Sequence, residues 1–360
     1  MGRFAFLIHP VRISDYYRKF PALKRLPDAW VEAMFRPVPP WVGAHITGVQ
    51  SPTGATAEGW FVFLPWTPRM LLDTPWPAVR ERIVRAGRLG QGRGAQIFGL
   101  GAFTKIAGGD QGASINERLG IPVTTGNSYT AASAVEASLL AAARMGIRPA
   151  DAEAAVVGAT GSIGAACAQL LAAQVGRITL LARQRPRLEE LAERLRARGA
   201  DVRIETDLRA GIALADIVVA VSSATEEILQ PEDFKPGAVV CDVARPRNVS
   251  SAVYERRDDV LVIDGGVIAV PGAVDFGLDF GFPPRHAEAC MAETMILALE
   301  NRFEAFTLGR DIAVERVEEI AALAKKHGFS VAGFRRFERA VPDEEIERIR
   351  ERAAARRMTA

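Results

Sequence analysis

At 360 residues the chain exceeds the size of a typical single hydrophobic core, so at least two domains are expected. With 49% hydrophobic and 24% charged residues, its composition excludes a disordered, collagen-like or disulfide-scaffold protein. Lys and Arg number 45 against 43 Asp and Glu, a net charge of +2, which gives no support for nucleic acid as a partner.

The predicted elements follow two rhythms. Short apolar runs between turn-formers come first: "RFAFLI" (3–8), "AHITGVQ" (44–50) and "GWFVFLP" (59–65) read as strands. Between the first two, "DYYRKFPALKRLPDAWVEAMF" (15–35) is broken by prolines into short helices. "PWPAVRERIVRAGRLGQGRG" (75–94) carries proline at its start and glycine at its end, as helix termini prefer. "AQIFGLGAF" (95–103) is a buried strand, "IPVTTGNSYT" (121–130) a strand and loop, and "AASAVEASLLAAARMG" (131–146) a helix closed by Gly146.

From Asp151 apolar strands alternate with helices. "EAAVVGATGSIG" (153–164) runs into "AACAQLLAAQ", and "RITLLAR" (177–183) into "RLEELAERLRARG". "ADIVVAVSS" (215–223), "AVVCDVA" (238–244) and "DVLVIDGG" (259–266) are further strands. That alternation predicts an α/β fold with a Rossmann-type, doubly wound parallel sheet. After Pro283 and Pro284 one helix is expected through about Thr307 and another over 314–329. The charged stretch 342–357 reads as a solvated helix.

Gly158, Gly161 and Gly164 form a glycine turn, "GATGSIG", between a strand and a helix. The first glycine permits the tight turn, the second lets backbone amides approach a pyrophosphate, and the third lets helix pack on strand. Ala159, Thr160, Ser162 and Ile163 complete the turn, and Ser222 at the end of a later strand is a further candidate contact. The second strand ends in Arg183, with Arg185 and Arg187 beyond it, where an NAD-binding turn carries a carboxylate. Guanidinium groups suit a 2′-phosphate, so NADPH is the expected cofactor.

Three cysteines without a CxxC pair, and four histidines far apart, argue against a structural zinc site and for a reducing compartment. No run reads as a transmembrane segment, so a cytoplasmic protein is expected; an enzyme of apolar substrates leaves a peripheral membrane contact open, with no single segment pointing to it. Cys167 and Cys241 read as buried. In "RHAEACMAETM" (285–295), Ala287, Cys290, Thr294 and Leu297 recur at helical spacing, which makes Cys290 a packing residue more than a turn inside its helix. His286, one turn earlier, and Glu293, three residues later, would share its face.

Taken together, "LGAFTKI" (100–106), "VTTGNSYTA" (123–131), "GATGSIG", "LLARQRPRL" (180–188), "GGVI" (265–268), "ACMAET" (289–294) and "LGRDI" (308–312) resemble the long-chain acyl-[acyl-carrier-protein] reductases. The resemblance runs from "FAFLIHP" to "KKHGF". It implies NADPH-dependent reduction of a fatty acyl thioester, carried by acyl carrier protein or coenzyme A, to a fatty aldehyde. It also makes Cys290 the nucleophile that holds the acyl group; from residue chemistry alone, His286 is a candidate to help form the thiolate. Thr125, Asn127 and Ser128 have side chains able to donate to the oxyanion. The chain departs from the family pattern at Lys105, at His286, in "CDVARPRN" (241–248) and beyond Phe329. The expected plan is an acyl-substrate domain (1–150), an NADP-binding domain (151–284), a helical segment carrying Cys290 (285–330) and a charged tail (331–360). The rival plans are a shikimate- or quinate-type dehydrogenase without covalent catalysis, and a non-catalytic NADP-binding protein.

Overall fold

A computed structural model describes residues 1–106, 109–224, 226–337 and 339–359, with the side chains of 105, 106 and 359 outside the description. The departure at Lys105 therefore lies outside the described side chains. The chain forms two compact units, one of residues 1–126, 269–311 and 322–329, the other of 127–268, 312–321 and 330–360.

In the first unit, β1 (Gly2–Ile8), β2 (Trp41–Gln50), β3 (Thr56–Phe63), β4 (Ile97–Leu100) and β5 (Val123–Thr124) join the late strand Gly272–Asp275. The six lie in the order late strand, β2, β3, β1, β4, β5. β1 runs parallel to β3 and β4, and β5 parallel to β4, whereas β2 and the late strand add on antiparallel. Alternate side chains of β1 serve opposite faces. Ala5 and Leu7 share a core with Val79, Ile83 and Val84 of helix Trp76–Gly92. Helix Ala289–Leu299 lies against β1 and β4 and needs glycine beneath it: a Cβ on Gly99 would sit 2.3 Å from Thr294 Oγ1.

In the second unit, β6 (Glu153–Val157), β7 (Arg177–Leu181), β8 (Val202–Glu205), β9 (Ile217–Ala220), β10 (Val239–Asp242) and β11 (Leu261–Asp264) form one parallel sheet. Their order is β11-β10-β9-β6-β7-β8, the doubly wound arrangement expected from the alternation. β8 is the strand that hydropathy does not announce. It is an edge strand in which only Val202 is fully buried, so its apolar signal is weak.

Four expectations change. The boundary falls at Gly126, not near 150, because helix Asn127–Arg144 buries Ala131, Ala134, Ala137 and Ala141 in the same core as Val156 and Val219. Residues 269–311, which include Cys290, belong to the first unit's fold and do not stand as a separate segment. The helix expected from 285 to 307 spans only Ala289–Leu299: Arg285 is left-handed (φ 64°), and His286–Glu288 is extended strand. The helix of the charged tail, Asp343–Thr359, is not merely solvated. Ile346, Ile349 and Ala353 are buried, and Arg352 and Arg356 pair with Asp258.

Candidate active site

The glycine turn has the geometry that its sequence predicts. Gly158 adopts φ +88°, and its N–H and that of Ala159 donate to Leu181 O at 2.8 and 3.0 Å, tying the turn to the end of β7. A Cβ on Gly158 would lie 2.9 Å from the backbone of Ser222, and one on Gly164 would lie 2.2 Å from Gly158 O. Gly161 N-caps helix Ser162–Ala172, and no side chain caps that helix, so its dipole faces the turn. Arg183, Arg185 and Arg187 are exposed just past β7; Arg185 also pairs with Glu189 at 3.0 Å. A crowded glycine turn, an uncapped helix start and a group of arginines fit a dinucleotide carrying a 2′-phosphate.

Three buried polar residues of "CDVARPRN" order the segment beside the turn. Asn248 is fully buried, and its Oδ1 accepts from Ser222 N at 3.0 Å. Asp242 accepts from Val249 N (2.9 Å) and Ala244 N (3.1 Å), and burial pushes its carboxyl up to about 6. Arg247 forms a buried ion pair with Asp264 at 3.1 Å. The apolar pattern of β10 conceals these roles, since a polar residue at the end of a parallel strand reads simply as the end of the strand.

Asn127 and Ser128 open helix Asn127–Arg144 and are both buried. The Asn127 amide donates to Ser162 Oγ at 3.1 Å, which joins it to the cofactor turn. Thr125 gives its hydroxyl to Thr307 O at 3.1 Å. Cys167 and Cys241 are fully buried, and desolvation raises both thiols, Cys241 to about 12.

Cys290 is the second residue of its helix, with Glu288 at the N-cap. The expectation that it lies more than a turn inside is thus corrected, because the chain before Ala289 is extended. The helix shows no apolar stripe either, since all 11 of its residues are buried. Gly126, at φ +71°, presses its backbone on the cysteine: a Cβ there would lie 2.2 Å from Cys290 Cα and 2.4 Å from its Cβ. One turn further on, the fully buried Glu293 accepts from Thr124 Oγ1 at 2.5 Å and Thr307 Oγ1 at 2.9 Å. These contacts fix the start of the helix to the end of β5. His286 sits on the extended segment, with Nδ1 at 2.8 Å from Pro284 O, so the helical face it was expected to share with Cys290 does not form.

The glycine turn and the cysteine helix each fall within stretches that are similar to known proteins. Residues 140–264, which lie within the second unit and do not reach the cysteine helix, match the family model described as shikimate / quinate 5-dehydrogenase. Aminotransferase PigE of Serratia sp. is 34% identical over 344 residues, which are 91% of this chain but only 39% of that protein. The long-chain acyl-[acyl-carrier-protein] reductase of Synechococcus elongatus is 31% identical over 305 residues, 81% of this chain and 87% of the reductase. The chain belongs to the long-chain acyl-[acyl-carrier-protein] reductase family. Among solved structures, L-tryptophan dehydrogenase from Nostoc punctiforme is similar at a TM-score of 0.41 and 12% identity, over 99% of this chain and 89% of that one. In this chain "VTTGNSYTA" and "ACMAET" have a physical content. The first supplies the glycine packed on the cysteine and a threonine partner of Glu293; the second supplies the helix start.

Proposed function

We propose that this protein reduces a long-chain fatty acyl thioester to a fatty aldehyde with NADPH, through an acyl group held on Cys290. The observation that carries the reading is the placement of Cys290 in the first turn of a buried helix, under a glycine that no other residue could replace without displacement. The first turn of a helix favours negative charge, so a thiolate is less costly there than anywhere else on the helix.

In this reading Cys290 Sγ attacks the thioester carbonyl, the carbonyl electrons move to oxygen, and the tetrahedral oxyanion collapses by expelling the carrier thiolate. The proton that Cys290 gave up ends on the carrier sulfur, and the acyl group remains on Sγ. NADPH, when bound, supplies the hydride that makes the product an aldehyde. Glu293, Thr124 and Thr307 act through the helix by holding its start, and so are positioning residues.

Acyl carrier protein and coenzyme A both present such a thioester, and the relative from Synechococcus elongatus carries the first in its name. The match of residues 140–264 to shikimate / quinate 5-dehydrogenase favours a second reading, a dehydrogenase without covalent catalysis. The two separate on one variant. Cys290→Ala abolishes aldehyde formation under the covalent mechanism and leaves a simple hydride transfer largely intact.

A further inference from the structure

The helix Asp28–Phe35 is turned inside out. Its buried positions are Val31 and Glu32, and Glu32 is satisfied there by Thr67 Oγ1 at 2.6 Å and Arg69 Nε at 2.9 Å. Its solvent side carries Trp30, Ala33 and Met34, at the spacing that brings side chains together on one face. Trp30 is 65% exposed, Met34 53%, and Phe20 just before it 46%. Single exposed apolar residues are ordinary, but a helix that buries a glutamate while its tryptophan and methionine face out is not.

The charges around this face are one-sided. Arg18, Lys19, Lys24 and Arg25 are exposed, and none forms an ion pair among the described residues. The acidic groups of the same stretch are fewer, and each accepts a hydrogen bond, although Asp28 stays exposed. Asp15 accepts from Val11 N and Arg12 N at 2.8 and 3.0 Å, Asp28 accepts from Tyr17 OH at 2.5 Å, and Glu32 is paired as above. The segment therefore presents apolar side chains flanked by unpaired cations.

We infer that residues 18–36 are a membrane-surface contact that takes anionic phospholipid. Trp30, Met34 and Phe20 enter the headgroup region, and Arg18, Lys19, Lys24 and Arg25 meet the lipid phosphates. A short helix lying flat with tryptophan on one face and lysine and arginine beside it is the arrangement an interface selects: the indole has an apolar body and a polar tip, and the long cations reach outward from their stems. The contact uses no residue of the proposed reaction, although a surface that holds lipid also suits a long apolar aldehyde product.

The test is sedimentation of the full chain with vesicles of phosphatidylcholine alone and of phosphatidylcholine mixed with phosphatidylglycerol. Binding is expected only to the anionic vesicles. Trp30→Ser with Met34→Ser, and separately Lys19→Glu with Lys24→Glu, should each weaken it at least about tenfold with unchanged thermal unfolding, since all four side chains are exposed. Cys290→Ser should bind as the unaltered chain does, which separates a failure of docking from a failure of the proposed chemistry. Absence of binding to anionic vesicles, or binding that both double variants retain, overturns the inference. So does self-association, or capture of an acidic carrier protein, that depends on Trp30 and Met34 in a chain that ignores vesicles.

Discussion

Replacing Gly126 by alanine perturbs the cysteine without touching its sulfur. At φ +71° a side chain costs about 1–2 kcal/mol by itself. The added methyl would lie 2.2 Å from Cys290 Cα, and ordinary contact begins at 3.4 Å, so the turn or the helix start must move. That movement is about 1 Å, and a displacement of that size at reacting atoms costs roughly a hundredfold in rate. Stability should fall by about 2–4 kcal/mol in all. The assay is single-turnover transfer of a long acyl chain from a soluble thioester, followed by aldehyde release. Urea unfolding and nicotinamide fluorescence serve as controls. Transfer should slow by about a hundredfold, and NADPH affinity is followed in parallel because Asn127, the next residue, is bonded to Ser162. A Gly126→Ala protein that transfers acyl groups within about twofold of the unaltered chain would show that the close approach to Cys290 has no catalytic purpose.

The remaining expectations concern the cofactor, the buried carboxylate and pH. Arg183→Ala with Arg187→Ala should weaken NADPH about ten- to a hundredfold and leave NADH nearly unchanged, as measured by fluorescence titration with both. Glu293→Ala leaves two buried threonine hydroxyls without their acceptor and should lower stability by about 3 kcal/mol in urea, with Glu293→Gln losing less than half of that. Burial holds the His9 imidazole down at about 4, with Nδ1–H donating to Pro10 O and Nε2 accepting from Phe103 N. The unfolded chain gains a proton near pH 6.5 and the folded one does not, so this contribution is lost as pH falls from 6.5 towards 4, about 3 kcal/mol in all. Asp242 runs the other way, since its raised carboxyl lowers stability as pH climbs from about 4 to 6. The difference between the unaltered chain and His9→Gln, followed by urea unfolding across that range, isolates the histidine; a difference independent of pH refutes the assignment.

The second unit was legible because parallel strands buried on both faces leave continuous apolar runs, and "GATGSIG" marks the turn by its glycines. The first unit's sheet was legible strand by strand, but not in its order. Gly272–Asp275 arrives from more than two hundred residues away to pair with β2, and local patterning carries no trace of such pairing. The site was half legible. Periodicity through 285–299 cannot register that Arg285 turns left-handed, so it placed Cys290 deep in a helix whose start the cysteine in fact occupies. Glu293 was visible as a neighbour, but its partners Thr124 and Thr307 meet it only through the tertiary fold. The exposed face of Asp28–Phe35 was hidden for the same reason: its composition is that of a core helix, and only burial shows which side faces water.

Covalent catalysis at Cys290 is tested most directly by intact mass spectrometry after incubation with a long-chain acyl thioester, on acyl carrier protein or coenzyme A, in the absence of NADPH. The expected result is a single acyl adduct that maps to Cys290 and disappears with release of the matching aldehyde when NADPH is added. No adduct at Cys290 with either carrier, alongside aldehyde formation that survives Cys290→Ala, would contradict it.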